Sequence, residues 1–97
     1  MPYTYLLQCA DGSYYTGWTT DLEARLRAHN QGRGGRYTRG RRPVRLVYWE
    51  FQPSRSAAQR REAVLRRLSH DEKAALAASF VASQDALTEA LSDLTGL

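Results

Sequence analysis

Arginine and tyrosine are the residue types of this 97-residue chain whose numbers and positions are best suited to chemistry. Thirteen of the fourteen lysines and arginines are arginine, and its planar guanidinium binds phosphate oxygens two at a time and does not lose its charge. Four of the six tyrosines, each a hydrogen-bond donor and acceptor, lie within the first fifteen residues. Together these side chains favour an anionic partner such as a nucleic acid.

The positive charge is concentrated before residue 69. Residues 1–68 carry a net charge of +8 and residues 69–97 a net charge of −4, which together give the +4 of the whole chain. Five arginines stand among glycines in a segment without hydrophobic periodicity: Arg33, Arg36, Arg39, Arg41 and Arg42. We expect this arginine segment, residues 33–45, to be a mobile loop that contacts the phosphate backbone of nucleic acid without reading its sequence.

The composition limits the architecture to one domain. With 42% hydrophobic and 25% charged residues, 97 residues can bury a modest core. No apolar run reaches the length of a membrane span, and the N-terminus lacks the basic-then-apolar order of a signal peptide, so we expect a soluble cytoplasmic protein. Cys9 is the only cysteine, which excludes a disulfide or a cysteine-built zinc site within one chain and predicts a buried thiol.

The hydrophobic pattern predicts a small α+β fold with a three-stranded antiparallel sheet flanked by helices. Aromatic and β-branched residues mark strands over about residues 3–9, 14–19 and 44–51. The sequence ADGS between the first two strands is typical of a hairpin turn.

Helices are predicted from capping boxes, in which a Ser or Thr and a Glu or Gln three residues later satisfy backbone N–H groups. Thr20 and Glu23 start the first helix, which ends before Gly32, and Ser56 and Gln59 start the second. The second helix has an inner face of five apolar residues: Ala57, Ala58, Val64, Leu65 and Leu68.

The pattern predicts that residues 69–97 are an acidic, amphipathic helical extension of the core, residues 1–68. Ser69 and Glu72 predict its start, and the pattern fits either one helix or a second start near Asp85. We expect the extension to fold back over the sheet as part of the same domain. In the alternative, the protein is a weak homodimer rather than a monomer, joined by an apolar stripe: Leu87, Leu91 and Leu94.

The order of these elements, with two tyrosine triplets at the front, resembles a GIY-YIG nuclease domain over residues 3–68. Tyr3-Thr4-Tyr5 stands in place of the first triplet and Tyr15-Thr16-Gly17 in place of the second. As in the family pattern, Arg25 lies eight residues after the second triplet's glycine and His29 four residues further on. In size the chain is most similar to the small stand-alone bacterial members. It differs at four points: a tyrosine replaces the first glycine, two threonines replace isoleucines, and no asparagine follows Asn30.

This resemblance implies a metal-dependent endonuclease that acts on branched, nicked or single-stranded DNA in repair or recombination, with RNA as an alternative substrate. Glu62 corresponds to the glutamate with which the family holds one divalent cation, Mg²⁺ or Mn²⁺. Arg25 would neutralise the scissile phosphate, and Tyr5 would position or deprotonate the attacking water. Tyr15 and His29 would orient that water or share its proton.

Two physical conditions follow from these roles. A free phenol has a pKa of about 10, so we expect Arg25 and the cation to lower the pKa of Tyr5 by about 2 units or more. The two phenols must also share a face of the sheet, which a two-residue hairpin loop prevents and a three-residue loop with Gly12 in the left-handed region allows. Tyr5 then lies opposite Gly17, whose missing side chain leaves room beside the phenol.

Each candidate residue also has a structural interpretation. Considered without the resemblance, Tyr5 and Tyr15 are packing phenols, His29 is a histidine favoured at a helix C-terminus, and Glu62 forms an ordinary exposed ion pair. Five further aromatic residues of the strands are expected to lie in the core or on the surface of the sheet: Tyr3, Tyr14, Trp18, Tyr48 and Trp49. The matching alternative for function is a nucleic-acid-binding module with the same fold and little or no hydrolytic activity.

Overall fold

The computed structural model describes residues 1–94, with the side chains of residues 1–84 and 86. Within these residues the chain forms the predicted α+β fold, a three-stranded antiparallel sheet with four helices. In chain order the elements are β1 (Tyr3–Gln8), β2 (Tyr14–Thr19), α1 (Leu22–Asn30), α2 (Arg36–Arg39), β3 (Arg45–Phe51), α3 (Arg55–Arg66) and α4 (His70–Leu94). None of the helices in this part of the chain is long and apolar enough to cross a membrane.

The hairpin between β1 and β2 has the predicted register, with Tyr5 paired to Gly17. The Cys9 N–H donates to the Ser13 carbonyl at 2.8 Å, and the Gly12 N–H donates to the Cys9 carbonyl at 3.0 Å. Gly12 has a φ of +85°, in the left-handed region. These bonds close a three-residue loop and confirm that the phenols of the two strands share a face.

The sheet separates two helical layers. Its strand order is β2-β1-β3, so β2 and β3 are the edge strands. One face carries a core cluster that packs against α1: Tyr5, Leu7, Cys9, Val44, Leu22 and Leu26. On the other face the Thr4 hydroxyl donates to the Ala58 carbonyl of α3 at 3.0 Å, and Ala58 and Leu65 are fully buried. Because successive strand residues alternate in direction, α1 and α3 cover opposite faces.

The last helix, α4, packs on the side of β3. Its Phe80 contacts two aromatic rings of β3 at centroid distances of 5.6 and 5.7 Å. Ser69 and Glu72 form the predicted reciprocal cap, since each backbone N–H donates to the other residue's side chain. The helix continues through Asp85 instead of starting again there. The apolar stripe predicted to join two copies lies outside the side chains that the structure describes: Leu87, Leu91 and Leu94.

Several local predictions are wrong, and for the two helix caps the reason is that a nearby side chain accepts the backbone N–H instead. The cap of α1 is Asp21, not Thr20, since the Asp21 carboxylate accepts a first-turn N–H at 3.0 Å. The cap of α3 is Ser54, whose hydroxyl accepts a first-turn N–H at 3.1 Å, so Ser56 lies inside the helix. Val64, expected on the inner face of α3, is 49% exposed. Both β1 and β3 are one residue shorter than predicted.

Alanine at Gly12 tests the hairpin, with alanine at Gly40 as the matched control. The φ of Gly12 is +85° and that of Gly40 is −90°, and an added Cβ would have no neighbour within 4 Å at either position. We expect Gly12→Ala to lower the free energy of unfolding by about 1 kcal/mol because of backbone strain. Gly40→Ala should change it by less than about 0.5 kcal/mol. Urea unfolding measures both, and equal stabilities would contradict the left-handed turn.

Candidate functional site

The two tyrosines predicted for the site meet over Gly17. The ring centroids of Tyr5 and Tyr15 are 6.4 Å apart. Tyr5 is buried and Tyr15 half-buried. A Cβ at Gly17 would lie 2.5 Å from the Tyr5 hydroxyl oxygen and 3.0 Å from Cε1 of Tyr15. The predicted room beside Tyr5 is therefore present, and any side chain at position 17 would displace the phenols.

His29 is fully buried, and both of its ring nitrogens have hydrogen-bond partners. Nε2 lies 3.2 Å from the Tyr5 hydroxyl and Nδ1 lies 2.7 Å from the Thr38 hydroxyl. The centroids of the His29 and Tyr15 rings are 4.9 Å apart. Gly34 packs against the same imidazole, since a Cβ there would lie 2.0 Å from Nδ1. His29 thus joins β1, α1 and α2 through one buried chain of hydrogen bonds.

Burial controls the protonation of both His29 and Tyr5. Burial, assisted by the charge of Arg25, lowers the pKa of His29 to about 4, so its imidazole is neutral at pH 7. Burial also raises the pKa of Tyr5 to about 12, although the hydrogen-bonding interaction with Arg25 opposes this shift. Arg25 by itself therefore does not depress the phenol pKa as expected, because removal from water outweighs the nearby cation.

Arg25 lies one turn before His29 on α1, so the two residues are on the same side of the helix. Its Nη2 donates to the Gly34 carbonyl at 2.9 Å. Partial burial works to lower the pKa of Arg25, but interactions with the Tyr5 and Tyr15 hydroxyls outweigh it and the pKa rises. The guanidinium is therefore a permanent positive charge held beside the two phenols.

Glu62 lies on α3, across the sheet from α1, yet its charge is among the causes that raise the pKa of Tyr5. Its side chain is only 16% exposed and forms an i,i+4 ion pair with Arg66, whose side chain is 62% exposed. The ion pair that was considered for Glu62 as an alternative to a catalytic role is therefore present, but the Glu62 carboxylate is largely buried and not exposed. The structure thus brings four of the predicted catalytic side chains together at the edge strand β2: Tyr5, Tyr15, Arg25 and His29. Glu62 is connected with them through the effect of its charge on Tyr5.

The donor set suits a hydrated divalent cation and not a preformed metal cage. Among the described residues, no three histidine, cysteine, aspartate or glutamate side chains come together as metal ligands. Glu62 offers one carboxylate, whose charge acts on Tyr5. Mg²⁺ keeps several of its waters and takes further oxygens from substrate phosphates, so a single carboxylate is compatible with it. In this structure Arg66 binds that carboxylate.

The arginine segment is folded around α2, so the expectation of a loop without regular structure is wrong. The Thr38 side chain anchors this helix in the interior. Arg41 donates to the Tyr37 carbonyl at 2.8 Å and lies 4.1 Å from the centre of its ring, and Arg42 donates to the Arg39 carbonyl at 2.9 Å. These two arginines hold the segment together. Three further arginines on or before α2 are exposed: Arg33, Arg36 and Arg39.

Reasoning from the sequence missed Gly34 and Thr38, which position His29, and the packing of Tyr37 against Tyr15 at 6.1 Å. The adjacent glycines at 34 and 35 were a signal for close backbone approach, but they stood in a segment that lacked any periodicity. No local spacing pairs Thr38 with His29, because the contact depends on how the chain turns between α1 and α2.

Known proteins are similar to this chain over most of its length. A UPF0213 protein of Clostridium perfringens is 51% identical over 79 residues, which cover 81% of this chain and 85% of that protein. A UPF0213 protein of Halobacterium salinarum is 49% identical over 76 residues, or 78% and 99% of the two chains. The solution NMR structure of a UPF0213 protein from Bacillus halodurans has a TM-score of 0.50 at 46% identity and covers 80% of this chain and 84% of that one.

The family model described as the GIY-YIG catalytic domain matches residues 1–74. This range runs from β1 into the start of α4 and contains every candidate site residue. The family is one of nucleases, which makes nucleic acid the implied substrate class. On this match and on the geometry at β2, the chain belongs to the GIY-YIG family.

Proposed function

We propose that this protein is a metal-dependent endonuclease that hydrolyses phosphodiester bonds in DNA. The observation that supports the proposal is the meeting of two phenols, a guanidinium and a neutral imidazole over Gly17, with the charge of Glu62 reaching Tyr5. Such hydrolysis requires an oriented water, a proton acceptor and positive charge on the phosphoryl oxygens. Branched, nicked and single-stranded DNA, the substrates of repair and recombination, are the ones to compare.

Arg25 binds the scissile phosphate in this proposal. Its bond to the Gly34 carbonyl holds the guanidinium in place, and the group also interacts with the hydroxyls of Tyr5 and Tyr15. Non-bridging phosphate oxygens would bind the N–H groups that these contacts leave available. A Mg²⁺ or Mn²⁺ ion held by Glu62 would add positive charge beside the phosphate and the departing oxygen.

Tyr5 orients the attacking water and passes a proton to His29. With a pKa of about 12 the phenol is neutral at pH 7, so it accepts a hydrogen bond from water while donating its own hydrogen to Nε2 of His29. This requires the tautomer with hydrogen on Nδ1, which donates to Thr38. A proton from water then reaches the phenol oxygen as the phenol proton moves to Nε2. Tyr15, against the same imidazole, helps to orient the water.

The exposed arginines of the arginine segment bind the DNA backbone on either side of the cleavage point: Arg33, Arg36 and Arg39. Their guanidinium groups extend from a folded element, so they reach phosphate with less loss of chain entropy than a mobile loop would require. Arg41 and Arg42 contribute indirectly, because their bonds to carbonyl groups maintain the segment. Such contacts fix the position of DNA without selecting a sequence.

Glu62→Gln and Glu23→Gln form a matched pair that tests the proposal. Both glutamates make i,i+4 ion pairs with arginine, but the Glu23 side chain is 87% exposed and that of Glu62 is 16% exposed. We expect Glu62→Gln to slow cleavage of labelled DNA in Mg²⁺ or Mn²⁺ by about 100-fold or more. Glu23→Gln should leave the rate within about twofold of the wild type.

A second pair on α1 controls for charge. Arg25→Gln should slow cleavage by about 100-fold, whereas Arg27→Gln removes the same charge from the 62% exposed partner of Glu23 and should have little effect. Equal rates for the two members of either pair would contradict the proposed site. Binding of DNA without cleavage in either metal ion would instead identify a nucleic-acid-binding domain.

The buried imidazole predicts acid instability. The pKa of His29 is about 4 in the folded protein and near 6.5 in an unfolded chain, so the unfolded chain binds more protons between these values. Stability should therefore fall as the pH is lowered from about 6.5 towards about 4, by up to about 1.4 kcal/mol per pH unit.

His29→Gln should lose this contribution to the pH dependence, because an amide keeps hydrogen-bonding capacity without titrating. His70→Gln, which changes a 64% exposed imidazole, should keep the wild-type slope. Urea unfolding between about pH 4 and pH 7 measures the slopes. Identical slopes for His29→Gln and the wild type would show that the imidazole is not held neutral by burial.

A further inference from the structure

A cavity of about 310 Å³ adjoins the candidate site and has no part in the hydrolysis described above. It is lined by Tyr14, Tyr15, Thr16, Tyr37, Arg66 and Lys73. The walls thus come from four elements, β2, α2, α3 and α4. Aromatic faces combined with two cations are the side chains that bind nucleotides and their phosphates.

Lys73 has unused hydrogen-bonding capacity at this cavity. Lys73 is the only lysine or arginine in residues 69–97, which otherwise carry acidic charge. None of the ion pairs between described side chains includes it. An anion in the cavity would give its ammonium group a partner.

Arg66 stands between this cavity and the proposed cation ligand. Its Nη2 pairs with Glu62, but its side chain is 62% exposed and also lines the cavity. Ion pairs one helical turn apart are individually weak. A phosphate that is also contacted by Lys73 therefore competes effectively with Glu62 for the guanidinium.

We propose that the cavity is a second phosphate-binding site, for a nucleic-acid phosphate next to the scissile one, and that its occupation draws Arg66 away from Glu62. The inference rests on the proposed function, because the released Glu62 carboxylate is the group assigned to the divalent cation. Without phosphate, Arg66 occupies that carboxylate and weakens cation binding. Nucleic acid and cation thus bind cooperatively, each favouring the state in which Arg66 has left Glu62.

Binding of Mn²⁺ alone tests the role of Arg66. Free Mn²⁺ is measured by electron paramagnetic resonance in the wild type, Arg66→Gln and the control Arg67→Gln, which removes the same charge from the exposed neighbouring residue. Arg66→Gln should bind Mn²⁺ about three- to fivefold more tightly than the wild type, and Arg67→Gln should not. Equal affinities in the two variants overturn this inference only. Mn²⁺ binding that persists in Glu62→Gln overturns the proposed cation site as well.

Binding of inorganic phosphate, in buffer without metal ions, tests the cavity. The carboxyl ¹³C signal of Glu62 is followed by NMR and is identified by its absence in Glu62→Gln. We expect the signal to shift and saturate as phosphate is added, with a midpoint about threefold higher or more in Lys73→Gln than in Arg67→Gln. A signal that does not move, or equal midpoints in the two variants, overturns the second phosphate site and leaves the cleavage proposal standing.

Discussion

The absence of a side chain at Gly17 is the constraint on which the candidate site depends. Tyr5 pairs with this residue across the hairpin, and the phenol occupies the space that a Cβ at position 17 would take. Because side chains alternate along a strand, the three-residue loop at Gly12 puts Tyr5 and Gly17 on one face of the sheet, whereas a two-residue loop would put them on opposite faces. The shape of a turn outside the site therefore decides whether the tyrosines can meet, and the contacts of His29 and Arg25 depend on that meeting.

The hydrogen bonds that link Tyr5, His29 and Thr38 fix the positions of these side chains, but their burial makes both Tyr5 and His29 harder to ionise. Tyr5, His29 and Thr38 satisfy one another in the interior, which removes the cost of unpaired polar groups and fixes their geometry. The same burial raises the pKa of the phenol to about 12 and lowers that of the imidazole to about 4. At neutral pH both groups are uncharged. The three hydrogen-bonded side chains are therefore suited to passing a proton between fixed positions and not to holding a permanent charge.

The sequence predicted the parts of this structure that local patterns determine. Aromatic and β-branched residues predicted the three strands, and the condition that the two phenols share a face predicted the three-residue loop that sets Tyr5 opposite Gly17. The predicted caps of α1 and α3 were wrong, because Asp21 and Ser54 accept backbone N–H hydrogen bonds as well as the predicted cap residues would. The spacing of Arg25 and His29 on α1 was sufficient to place them on one side.

The residues that hold the site side chains in place could not be predicted, since their contacts join elements that are distant in the sequence. Thr38 reaches His29 only because α2 exists, and the glycine-rich sequence before it gives no periodic signal for a helix. The raised pKa of Tyr5 results from the number of atoms packed round the phenol, which the neighbouring Arg25 does not offset. A charge partner can be counted in a sequence, whereas burial is a property of the assembled layers.

The position of the site on an edge strand explains why its two halves differ in character. The α1 and α2 side of β2 contributes groups that hydrogen bonds hold in place, namely the neutral, buried His29 and Thr38 and the charged Arg25. The α3 and α4 side contributes charged groups with access to solvent, among them Arg66, whose side chain is 62% exposed. Because β2 has no neighbouring strand on its outer side, a ligand can approach both halves at once. We therefore expect ligand binding to move side chains on the α3 and α4 side, where breaking one ion pair costs little free energy. The α1 and α2 side should keep its geometry.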